Sequence, residues 1–114
     1  MKQIIVVRKD LKMRRGKEIA QACHASNKVL LENIDDPRMK KWLSMAFAKV
    51  CVRVDSLEEL LELHTEALSQ NVMAALITDA GKTEFNGVPT VTCMALGPEE
   101  SDVIDKITGN LKLY

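Results

Sequence analysis

The spacing of two apolar runs late in the chain limits the fold more than any other feature. Val72–Ile77 and Val91–Leu96 each have the length and the apolar or β-branched content of a strand. The connection that follows the first, Asp79 to Thr90, is too short for the helical crossover that parallel neighbours need. The two strands are therefore expected to pair antiparallel, with Asp79 and Thr90 at one edge of a sheet. Earlier, Ile4–Val7 is a continuous apolar run of the kind buried on both faces. Val50, Val52 and Val54 alternate with Lys49, Cys51 and Arg53, which is the period of a strand.

Helical patterns fill the intervals. From Lys17 to Glu32, Ile19, Cys23, Ser26 and Leu30 recur at helical spacing and mark an expected buried stripe, with Lys17, Gln21, His24 and Lys28 on the opposite side. Asp35-Asp36-Pro37 is a start signal for a second helix reaching to about Phe47. Ser56 caps a third, whose Leu57, Leu60, Leu61, His64 and Leu68 form the apolar stripe. Pro98, Glu99 and Glu100 open a last helix through Ile107, with Gly109 just beyond it. The order β-α-α-β-α-β-β-α predicts an α/β fold: a three-layer α/β/α sandwich around a four-stranded mixed sheet, the first three strands parallel and the last antiparallel. A chain of 114 residues has room for one core, so residues 1–114 are read as a single domain.

Composition excludes several classes. Hydrophobic residues at 46% against 28% charged are too apolar for a disordered chain. Sixteen basic and sixteen acidic residues cancel, yet they are segregated along the chain. Lys2, Arg8, Lys9, Lys12, Arg14, Arg15 and Lys17 crowd the start against Asp10 alone, whereas Asp55, Glu58, Glu59, Glu62 and Glu66 fall where there is no Lys or Arg. A basic end on a neutral protein favours a local anionic ligand over general polyanion binding; a solvated face is the plainer reading. Cys23, Cys51 and Cys93 are odd in number, widely spaced and set in apolar sequence, so they read as reduced core residues without zinc-ligand spacing. No run has the length of a signal core or a membrane span, which leads to the expectation of a cytoplasmic protein.

Ligands of open α/β sheets collect beyond the carboxyl ends of the parallel strands. The first strand leads to Lys17, the third to Asp79, and the fourth begins there with Thr90; Thr83 lies in the connection. Lys17 opposes the dipole of the helix it opens, and an anion placed there would be held by both. A solvated lysine, a turn-capping aspartate and strand-end threonines are the ordinary alternatives. Gly16-Lys17 resembles the end of a phosphate loop, but Leu11 stands where the first glycine should be and Glu18 where the metal-binding hydroxyl should be. Arg14 and Arg15 remain suited to phosphate. With only Trp42, Phe47, Phe85 and Tyr114 as aromatics, a platform stacking several bases is not expected.

Several separated blocks then fall in the same order as in one family. Val6-Val7-Arg8-Lys9-Asp10-Leu11-Lys12-Met13, Gly16-Lys17, Ala20-Gln21, His24-Ala25, Asp79-Ala80-Gly81-Lys82-Thr83, Ile104-Asp105-Lys106-Ile107-Thr108-Gly109 and Leu111-Lys112-Leu113-Tyr114 closely resemble type II peptidyl-tRNA hydrolases across the whole chain. The resemblance implies a compact α/β/α homodimer, needing neither metal nor cofactor, that cleaves the ester between a nascent peptide and the 3′ ribose of tRNA. It implies Lys17, Asp79, Thr83 and Thr90 as catalytic residues. Substrate contacts are expected at Arg14 and Arg15 through their suitability for phosphate, and at Gln21, His24 and Lys82, with no DNA or membrane partner. The chain departs from the family where Arg14-Arg15-Gly16-Lys17 replaces a Gly-Lys-Gly-Lys turn, where Lys82 replaces arginine, and where Glu99-Glu100 replaces a glycine- and proline-rich turn. A non-catalytic adaptor on the same fold, binding tRNA or protein, and a nucleotide-binding module are the alternatives.

Overall fold

A computed structural model describes residues 1–114. The strands are β1 (Lys2–Arg8), β2 (Lys49–Val54), β3 (Ala74–Asp79) and β4 (Thr90–Glu99). The helices are α1 (Arg15–Glu32), α2 (Pro37–Ser44), α3 (Leu57–Ser69) and α4 (Ser101–Thr108). Together they make an α/β fold with one four-stranded mixed sheet in the order β2-β1-β4-β3. β1 and β2 form the single parallel pair, and β4 lies between β1 and β3, antiparallel to both. The reason is burial. β1 and β4 are the strands with unbroken apolar runs, and a strand covered on both faces belongs at the centre.

Alternation along the strands sorts the core into two clusters. Ile4, Val6, Val52, Val54, Met94 and Leu96 join Leu60 and Ala67 of α3 and Ile104 and Ile107 of α4. Ile5, Val7, Ala75, Cys93 and Ala95 join Ala25 and Val29 of α1 and Met39 and Trp42 of α2. Small side chains dominate the second cluster where α1 meets the sheet. Their size brings the helix close and turns it.

That turning overrides the apolar periodicity of α1. Its buried residues are Gln21, Ala25, Ser26 and Val29, while Ile19, at 59% exposure, and Cys23 face outward. Three residues of the opposite stripe reach β3: Lys17 and Gln21 bond Asp79, and Lys28 Nζ donates to the Leu76 carbonyl at 2.9 Å. Of the three cysteines only Cys93 is buried, so the expectation of three core cysteines fails at Cys23 and Cys51.

Local signals place the other helices. The Asp36 carboxylate accepts from the Arg38 N–H at 2.8 Å with Pro37 in the first turn, and Trp42 donates to the Ala48 carbonyl. α2 stops at Ser44, short of Phe47, whose φ of 38° is left-handed. Ser56 caps α3 by accepting from the Glu59 N–H at 3.1 Å. Leu60 is buried there, but Leu61 and Leu68 are exposed and His64 is half-buried. β4 continues through a buried Pro98 to Glu99, so α4 opens three residues later than Pro98 suggested. Glu99 and Glu100 pair with Arg38 and Lys41 of α2 at 2.8 and 3.1 Å. Finally, Arg53 donates its N–H to the Lys112 carbonyl and Tyr114 donates its own to Cys51, laying residues 111–114 along the outer edge of β2. That covers an edge that would otherwise present unpaired backbone.

Candidate active site

β3 ends in Asp79, and the ladder register sets Thr90, the first residue of β4, directly across from it. The connection folds back over Asp79 because Gly81 has a φ of +80° and packs against Val88. A Cβ at Gly81 would lie 2.3 Å from the Val88 carbonyl oxygen, so only glycine fits. Its N–H donates to Asp79 Oδ2 at 2.9 Å.

α1 brings the cation. Lys17 Nζ lies 2.8 Å from Asp79 Oδ1 and 3.2 Å from Thr83 Oγ1. The side chains of Lys17 and Asp79 are 17% and 14% exposed, so the pair is largely shielded yet open at one side. Asp79 is held below the ordinary carboxylate range chiefly by the Lys17 hydrogen bond, against partial burial; the Gly81 N–H, the Lys17 charge and Gln21 add to it.

Behind Asp79 lies a polar strut. Gln21, 2% exposed, donates from Nε2 to Asp79 Oδ1 at 3.4 Å, and its Oε1 accepts from Thr92 Oγ1. Thr92 is itself fully buried, and Cys93 Sγ donates to the Gln21 carbonyl at 3.3 Å. Thr92 escaped the sequence reading. Its signal is a hydroxyl within the apolar run Val91–Leu96, where an unpaired hydroxyl would be costly.

The structure brings Lys17, Asp79, Thr83, Thr90 and Gln21 to one end of β3. Thr90 Oγ1 donates locally to the Val88 carbonyl at 2.9 Å. Arg14 Nε donates to Glu84 Oε1 at 2.9 Å, and Arg14, Gly16, Lys17, Thr83 and Glu84 line a shallow depression. Arg15, His24 and Lys82, close in sequence to these residues, are exposed, and their side chains make no hydrogen bond or ion pair within the chain. Arg8, also unanticipated here, pairs with Asp10 and donates to the Val91 carbonyl at 2.9 Å, fixing the start of β4.

The arrangement suits attack by water better than attack by a side chain. Neither His24 nor His64 hydrogen-bonds a serine or cysteine. Burial pushes the Cys93 thiol up to about 11, which makes it a poor nucleophile. No three His, Cys, Asp or Glu side chains are grouped to hold a metal ion. A shielded carboxylate can order water, and an ammonium beside it can receive developing negative charge.

Fold and site together define a small α/β protein with a lysine–aspartate centre at the mouth of a mixed sheet. The family described as peptidyl-tRNA hydrolase PTH2 matches residues 1–114, and the chain belongs to that family. It is 45% identical over 113 residues to a peptidyl-tRNA hydrolase of Methanothermobacter thermautotrophicus, covering 99% of both chains. It is 44% identical over 120 residues to one of Aeropyrum pernix, covering 99% of this chain and 95% of that protein. With one of Nanoarchaeum equitans the identity is 42% over 116 residues, covering 100% of this chain and 99% of the other.

Proposed function

We propose that this chain hydrolyses the ester between the peptide and the 3′ ribose of peptidyl-tRNA, returning free tRNA to translation. The observation that carries the residue assignment is the shielded Lys17–Asp79 pair, 2.8 Å apart at the mouth of the sheet, in a chain that matches its family from end to end. Water adds to the ester carbonyl, the carbonyl π electrons move onto oxygen, and the tetrahedral oxyanion collapses with release of the ribose oxygen. Asp79 orients the attacking water and accepts its proton; Lys17 stabilises the oxyanion. The ribose oxygen leaves with the proton taken from water.

A carboxylate held this acidic is a weak base while Lys17 stays on it. When Lys17 turns toward the oxyanion, Asp79 loses its largest stabilising contact and its basicity rises as the proton must be taken. Thr83, already bonded to Lys17, and Thr90, across from Asp79, position water and ester through their hydroxyls. Gln21 holds the carboxylate from behind. Arg14, Arg15 and Lys82 contact tRNA phosphates, and His24 lies on the substrate side of α1. The reaction needs no metal or cofactor.

The two core clusters support the finer architectural reading of a three-layer α/β/α sandwich forming one domain over residues 1–114, with β1, β2 and β3 running in one direction against β4. A cytoplasmic homodimer completes the proposal. In support, Ile19, Cys23 and Cys51 are exposed around a groove between α1 and β2.

The deciding experiment is release of N-acetyl-aminoacyl groups from tRNA, beside unblocked aminoacyl-tRNA and the Asp79→Asn variant. Cleavage of the blocked substrate, lost in the variant, is expected. Binding of tRNA without cleavage would favour the adaptor reading.

A further inference from the structure

Cations around the depression differ in how they are neutralised. Arg15 and Lys82 have no ion pair, Lys17 is committed to Asp79, and Arg14 is paired with Glu84. The Arg14 side chain is 79% exposed, as a phosphate contact should be, but its partner is only 17% exposed. Glu84 precedes the short helical turn at Phe85–Gly87, yet its side chain caps nothing there and makes no other hydrogen bond. The bond links the β3–β4 connection to the start of α1, over the depression that Lys17 and Thr83 share.

We propose that Glu84 is an affinity-setting residue: a built-in counterion that a tRNA phosphate must displace from Arg14. This rests on the reading of Arg14 as a phosphate contact. When Arg14 leaves Glu84 for a phosphate, the ion condensed there is released from the RNA, but the uncovered Glu84 takes up a cation in its place, so little net ion is released. That exchange lowers affinity and flattens its salt dependence relative to a free arginine. The same carboxylate keeps the Thr83 loop tied to α1 when no tRNA is bound.

The test is binding of deacylated tRNA, followed by fluorescence anisotropy between about 50 and 200 mM salt, by the wild type, Glu84→Gln, Arg14→Ala and the double variant. Glu84→Gln should bind about threefold to tenfold more tightly at the low-salt end, with a log–log slope steeper by about 0.9. In the Arg14→Ala background the gain should shrink to less than half, because only general repulsion of phosphate is then relieved. Unchanged affinity and slope in Glu84→Gln, with tRNA binding intact, would overturn the inference and leave the proposed function standing. An equal gain in both backgrounds would overturn it too, making Glu84 a general surface charge. Failure of the wild type to bind tRNA would overturn the functional reading itself and this inference with it.

Discussion

Asp79 carries the sharpest expectations. Removing its charge as Asp79→Asn should lower single-turnover hydrolysis by about 100-fold or more, the scale of a lost general base. Its depressed pKa means the carboxylate stays ionised throughout the neutral range, so the acidic limb of kcat/KM should lie below the ordinary value of 3.8. In Lys17→Met, which removes the ammonium that holds it down, the limb should move upward. A limb that stays in place would show that Lys17 does not set Asp79. The linkage has the same sign. A carboxylate with a lowered folded pKa stabilises the fold above its unfolded pKa, and that contribution is lost as pH falls through the folded value. The difference in melting temperature between wild type and Asp79→Asn should therefore be steady at neutral pH and close below about pH 4. Thr92 offers a quieter test. Thr92→Val keeps the shape but leaves buried Gln21 Oε1 without its donor, at a cost of about 1–3 kcal/mol in urea denaturation. It should lower kcat more than it raises KM. Thr92→Ser should restore both.

At the scale of elements, what could be read from sequence depended on where the information sits. α2 and α3 were legible at their starts because Asp36-Pro37 and Ser56 satisfy the first N–H groups with their own side chains or by lacking one. The extent of α1 was close to readable, but its buried face was not. Periodicity weighs Ile19 and Cys23 as apolar and cannot see that Ala25, Ala75 and Ala95 let the helix settle closer on another side. The site followed the same division. Lys17 and Asp79 were reachable from strand order and connection length, whereas the Gln21–Thr92 strut depends on a contact across 71 residues that no local pattern encodes. The β3–β4 connection has its own prediction. Gly81→Ala would put a methyl group against the Val88 carbonyl and force a left-handed alanine, displacing the N–H bonded to Asp79. A loss of about 1–3 kcal/mol is expected, with activity falling while the circular dichroism of the sheet and helices is preserved.

At the scale of the molecule, the exposed face of α1 beside β2 gives the expectation for assembly. Ile19→Arg should convert a dimer to a monomer in sedimentation velocity, while the far-UV circular dichroism stays unchanged. A wild type that sediments as a monomer would refute the dimer. The glutamates of α3 and the basic start of α1 lie on helices that belong to different core clusters, in a body measuring 40 × 25 × 22 Å. With no net charge, such a molecule is barely pulled toward RNA from afar. Within about a Debye length, near 8–10 Å at working salt, the charges on the two faces of its sheet feel opposite forces. The approaching polyanion then exerts a torque, and the protein meets its substrate already rotated.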